Sequence, residues 1–152
     1  MGNLKLTSSA FSNGGEIPRE CGYKNGNKEP ALAISGIPNE TESLALIMDD
    51  PDAMGAVGKV WVHWVAWNII PSHADMDDIF SNSSNAQIGM TDFGEVRYGG
   101  PAPPDKTHTY VFKLYALDTE LDLPQKSTKA DVEKAMEGHI VDQATLTGTY
   151  AP

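Results

Sequence analysis

Three stretches of this chain are apolar in the manner of strands, and one is apolar at helical spacing. Ser43 to Met48 is a short apolar run. Val60 to Ile70 is longer, carries all three tryptophans and is apolar on both faces, which predicts a central strand covered from both sides. His108 to Leu117 alternates in part and is rich in aromatic and β-branched residues, so it predicts another strand. Thr145 to Tyr150 predicts a short closing strand. The helical stretch begins after Ser127 or Thr128, either of which can cap it, with Asp131 in its first turn. Val132, Ala135, Met136, His139 and Ile140 then share one face, and Gly138 is the expected exit, although His139 and Ile140 could extend the stripe past it. A weaker helical turn is expected within 72–80, around Met76, Ile79 and Phe80. Prolines at 18, 30, 38, 51, 71 and 124 fall where turns between strands are needed. Many strands with one or two short helices predict a mostly β domain, a sandwich or a compact barrel.

Length and composition narrow this picture. The 152 residues are expected to form a single domain, residues 1–152, able to bury roughly 70% of its unfolded surface. No repeat, low-complexity tract or shift of composition divides it. The single cysteine, Cys21, excludes an internal disulfide framework and fits a reducing cytoplasm. No signal-like segment opens the chain, and no apolar run approaches the roughly 18 residues of a membrane span. A cytoplasmic location is therefore expected. The net charge of −10, spread along the chain, argues against nucleic acid and against anionic membrane surfaces as partners.

The candidate chemistry lies at the ends of the strands. Asp49-Asp50-Pro51-Asp52 precedes Trp61-Val62-His63-Trp64, and Gly99-Gly100-Pro101-Ala102-Pro103-Pro104 precedes His108-Thr109-Tyr110. Brought together, these edges would converge an acid, two imidazoles and a phenol on one hollow. Uniform alternation puts Trp61, His63, Val65 and Trp67 on one face and Val62, Trp64 and Ala66 on the other. His108 and Tyr110 point the same way. Asp50 can either cap its own turn or receive an imidazole N–H and fix that ring's tautomer. No His-x-His, His-Glu-x-x-His or cysteine pair is present, so neither a metal nor another cofactor is expected. No nucleophile sits in a recognisable setting. Anion binding needs only donors on a preformed concavity, which imidazole, phenol and glycine-loop N–H groups supply.

These segments resemble the phosphatidylethanolamine-binding protein family, also called Raf kinase inhibitor-like proteins, and most closely its short microbial branch. The matching residues are Leu44 to Ala53 with Val62 to Asn68, and Tyr98 to Pro104 with His108 to Leu117. Support comes from Phe11 to Pro18, Met136 to Ile140 and Leu146 to Tyr150. The resemblance implies a β-sandwich-like fold with a large central sheet, a smaller sheet and a few peripheral helices. It implies a pocket for small anions and phospholipid head groups, formed by Asp50, His63, His108 and Tyr110, with Asp52, Gly100 and Pro101 in support. Four departures stand out. Met54 replaces a proline, and Thr109 replaces the arginine of a His-Arg-Tyr motif. The segment from Pro104 to His108 is about two residues short, which is expected to widen the pocket mouth. No extended C-terminal helix is present.

The leading expectation is a non-enzymatic binding protein for a phosphate or carboxylate group. His63 and His108 would donate N–H bonds, Tyr110 its hydroxyl, and Asp50 would hold one imidazole. Trp61, Trp64 and Met54 are the expected apolar contacts. Two alternatives are an inhibitor of a kinase or protease acting through its surface, and a hydrolase using the His–Asp pair. The oligomeric state is left open, a homodimer included.

Overall fold

The computed structural model describes residues 3–71, 75–80 and 86–152. Eight strands lie among the described residues: β1 (Lys5–Thr7), β2 (Gly15–Glu16), β3 (Ala33–Ser35), β4 (Ser43–Asp50), β5 (Trp61–Ile69), β6 (Gln87–Ile88), β7 (His108–Leu117) and β8 (Ile140–Tyr150). Six of them form one sheet in the order β2-β8-β7-β4-β5-β6, antiparallel except at β2-β8, while β1 and β3 form a small second sheet. Among the described residues two α-helices, α1 (Ala53–Val57) and α2 (Lys129–Met136), lie outside the sheets. The expected mostly β fold, with a large sheet, a smaller sheet and peripheral helices, is the fold observed.

The apolar pattern explains the layering. Every residue of β4 is buried, so β4, with a full-length partner on each side, is the central strand. The long tryptophan run forms β5, covered on both faces as expected but bounded on one side only by the two-residue β6. One face of the large sheet packs Leu44, Leu46, Met48, Trp64, Phe112 and Leu114 against Leu6 and Ile34 of the small sheet. The other face presents Ala45, Ile47, Val65 and Trp67 to Val132 and Met136 of α2.

Strict alternation fails at two places along β5, opposite Leu44–Leu46 and opposite Met48–Asp49, and the second of these decides the site. Met48 pairs with Trp64, but the next residue, Asp49, pairs with Val62. His63 is therefore the extra residue of a β-bulge. Val62 and Val65 face the α2 layer, while His63 lies against Tyr110 on the same side as Trp64. The face assigned to His63 by alternation, together with Val65 and Trp67, is corrected accordingly. The inserted residue reverses the side chains that follow it, up to the second shift, beyond which Ile69 packs on the Trp64 side.

Three other expectations are adjusted. Helix α2 stops at Met136, because Gly138 turns the chain at φ +80° and Ile140 begins β8. His139 instead pairs with Asp118 on the surface. The closing strand starts earlier than Thr145 because β8 pairs with β7 from Ile140 onward, although its first half is too exposed to carry an apolar signal. Within 72–80, residues 72–74 lie outside the described residues. Met76 makes an antiparallel bridge to Ile34, and the Ile79 N–H donates to the Leu32 carbonyl. Their backbone groups find partners beside β3 instead of along a helix.

The predicted cap on α2 is present in full. Thr128 accepts from the Asp131 N–H, and the Asp131 carboxylate accepts from the Thr128 N–H. Thr128→Ala is expected to lower stability by about 1 kcal/mol, read from the urea midpoint at unchanged slope.

Candidate functional site: a pocket at one end of the central strands

Antiparallel order places the C-terminal end of β4 between the N-terminal ends of β5 and β7, with Asp50 opposite Trp61 and Asp49 opposite Val111. Chain-distant residues thus meet by topology alone. A hollow of about 150 Å³ opens there, well above the roughly 10–15 Å³ that one water needs. Asp50, His63, His108 and Tyr110 line it, and Trp61, Phe93, Ala53, Val57, Ala102 and Pro104 are among its apolar walls.

Of the adjacent acids, only Asp50 reaches the hollow. One of its oxygens accepts the Asp52 N–H at 3.0 Å, and the other accepts from His108 Nδ1 at 2.6 Å. Both sequence readings of Asp50, as turn cap and as imidazole partner, hold together. Asp49 faces the opposite side of the sheet, buried, where Lys113 and Lys129 both bond its Oδ2 at 3.0 and 2.8 Å.

His108 is held from both sides. Its Nε2 lies 2.7 Å from Asp105 Oδ1 as well. A neutral ring would set a lone pair against one of these carboxylates, so both nitrogens carry hydrogen and donate. Burial favours the neutral ring, but the bonds and charges of Asp50 and Asp105 outweigh it and raise the pKa. The short segment after Pro104 does not free this imidazole; it brings Asp105 onto it. His108 therefore has no spare N–H to donate, contrary to the sequence expectation.

His63 is set differently. Its Nδ1 lies 2.6 Å from the Gly99 carbonyl and must donate to it. Burial pushes its pKa down, against the pull of the Gly99 carbonyl and of Asp50. The ring is therefore neutral with its proton on Nδ1, and Nε2 presents a lone pair. Tyr110 stands edge-on to His63, with ring centroids 5.1 Å apart. Its hydroxyl is buried without a well-aligned hydrogen bond among the described residues, and burial, then the nearby Asp50 carboxylate, push the phenol pKa far up, so the group is a donor.

The supporting residues act from behind the walls. Asp52 accepts the Thr109 N–H at 2.9 Å, tying the α1 turn to the start of β7. Gly100 donates to Asn27 Oδ1 at 2.7 Å, and the Pro101 carbonyl accepts from the Tyr23 N–H. None of Asp52, Gly100 and Pro101 lines the hollow. Of the expected apolar contacts only Trp61 does; Trp64 is in the core and Met54 is exposed on α1. Phe93, Asp105 and Asn27 were missed. Phe93 lies in a stretch without periodicity, and Asn27, at φ +52°, was signalled only by its Asn-Gly-Asn turn composition.

Among the described residues, no cluster of three or more His, Cys, Asp or Glu is arranged to hold a metal ion. No helix among them is long and apolar enough to cross a membrane.

The chain has counterparts in sequence and in overall fold. The family model of the phosphatidylethanolamine-binding protein matches residues 7–151. A UPF0098 protein of Methanothermobacter thermautotrophicus is 42% identical over 151 residues, covering 97% of this chain and 98% of that protein. A UPF0098 protein of Chlamydia muridarum is also 42% identical, over 154 residues, with the same coverage. Among solved structures, the Chlamydia trachomatis homologue CT736 superposes with a TM-score of 0.87 at 36% identity, over 99% of this chain and 98% of its own. E. coli YbcL, whose structure is titled a new member of the mammalian family, does so with a TM-score of 0.86 at 29% identity, over 98% of each chain. With nearly the whole chain matched in sequence and in fold, this protein belongs to the phosphatidylethanolamine-binding protein family.

Proposed function

We propose that this is a non-enzymatic binding protein whose pocket holds a small anion, the phosphate group of a head group above all. The observation that carries this reading is Tyr110, which lines the hollow and whose buried hydroxyl, with Asp50 and the Ala102 backbone nearby, makes no well-aligned hydrogen bond among the described residues. A buried polar group left unmatched costs about 1–3 kcal/mol, which a ligand oxygen would recover. The neutral His63 supplies the complementary half. Its Nε2 lone pair accepts a proton from a monoprotonated phosphate, or takes up one from water as the anion enters. The apolar walls formed by Trp61, Phe93 and Val57 suit the carbon skeleton of an ester better than a bare ion. Hydrolysis is the weaker reading, because no Ser, Thr or Cys among the described residues lines the hollow.

The proton carried in with the anion sets the pH dependence. Since burial depresses the His63 pKa, free protein holds this ring neutral, and binding gains as pH falls toward the range where ring or ligand is protonated. Calorimetric titration with phosphate and phosphoethanolamine is expected to show affinity rising from pH 8 to pH 6, by at most about tenfold per pH unit for one coupled proton. Tyr110→Phe is expected to weaken binding about tenfold. Absent heats for the parent protein at every pH would remove the proposal.

A further inference from the structure

Asp105 takes the His108 N–H that the sequence reading assigns to a ligand. Its Oδ1 accepts from His108 Nε2 at 2.7 Å, with the charge and geometry of an anion's oxygen. The two carboxylates on this imidazolium are not equivalent. Asp50 is only 5% exposed and spends its second oxygen on the Asp52 N–H, whereas the Asp105 side chain is 43% exposed on the loop after Pro104. If one of them yields, it is Asp105. Their combined charge also matters. Two carboxylates on one imidazolium leave a net charge of −1 beside the hollow, and no Lys or Arg lines it.

We propose that Asp105 is a built-in competitor, a specificity-determining carboxylate that holds the His108 N–H against incoming anions until it is displaced. The proposal rests on the pocket reading above and adds a residue that reading does not need. Displacement frees one charge-assisted N–H and brings the local charge to zero, both favourable to an anion. Asp105 thereby sets a threshold: an anion that cannot outbid a tethered carboxylate is held out, and contacts with the apolar walls favour esters over inorganic ions.

The test is calorimetric titration of inorganic phosphate into the parent chain, Asp105→Ala and Asp105→Asn at one pH and ionic strength. Folding is checked by urea midpoint, and His108 by its imidazole nitrogen resonances. Asp105→Ala is expected to bind phosphate at least about tenfold more tightly than the parent, with Asp105→Asn between them. Its His108 Nε2 signal should move while the Asp50-bound Nδ1 signal stays. Were Asp105 a positioning residue only, that nitrogen signal would move with phosphate affinity unchanged or reduced. Such a result, with phosphate binding by the parent still dependent on Tyr110, overturns this proposal and leaves the pocket reading standing. Absence of phosphate binding in all three proteins overturns both.

Discussion

Replacing Asp50 with alanine is expected to destabilise the protein by about 3 kcal/mol, because it removes one partner from a buried charged pair and the acceptor of a turn N–H at once. His108 is fully buried and keeps only its bond to Asp105 after the change. Asp50→Asn, which retains an acceptor for the Asp52 N–H, is expected to lose about half as much. The pH dependence identifies the cause. The folded-state pKa of His108 lies above its unfolded value, so the stability this ring contributes is fully present below the unfolded pKa of about 6.5. It is lost as pH rises through the folded value. His63 runs the other way. Its folded pKa is depressed, so stability falls as pH drops below about 6.5, where the unfolded state gains a proton that the buried ring refuses. Urea unfolding from pH 5 to pH 9 should therefore lose its high-pH decline in Asp50→Ala and keep its low-pH decline. Equal pH profiles for the variant and the parent would separate Asp50 from His108.

Gly100→Ala is expected to cost about 3 kcal/mol or more, and in doing so to dismantle the pocket wall. A Cβ at this position would stand 1.9 Å from the Cys21 carbonyl oxygen and 2.9 Å from the Tyr23 nitrogen. Both are backbone atoms, so no side-chain rotation relieves the contact. The loop cannot simply retreat, since the Gly100 N–H is held by Asn27 and the neighbouring Gly99 carbonyl fixes the His63 tautomer. A large fall in urea midpoint, with loss of anion binding in whatever fraction stays folded, is the expected result. A variant as stable as the parent would show that the 98–101 loop is not packed as described.

What could be read from the sequence was the part governed by burial. Apolar runs revealed β4, β5 and β7 because those strands are covered on both faces or alternate cleanly. The same runs end in acids, imidazoles and a phenol, which is why Asp50, His63, His108 and Tyr110 were legible as one cluster. The orientation of His63 was not, since nothing in the run Trp61 to Trp67 marks where one residue drops out of register. The bulge belongs to the pairing with β4, not to either strand alone. Asp105 was illegible for a related reason. A shorter loop suggests a wider opening until the side chain at its tip is placed, and this one folds back on the imidazole three residues later. Phe93 and Asn27 act through contacts made across the chain, with Gly99 and Gly100, and neither lies in a patterned segment.

The two histidines thus divide the chemistry of the pocket. His108 is a fixed imidazolium already satisfied by carboxylates, and His63 is a neutral ring with one nitrogen in reserve beside an unmatched phenol. Imidazole nitrogen resonances, followed while phosphate is titrated into the protein near pH 6, test this assignment most directly. Binding in the manner described moves His63 Nε2 toward its protonated position while Nδ1, held by the Gly99 carbonyl, scarcely changes. Phosphate that saturates the protein and leaves His63 Nε2 where it began would contradict the account.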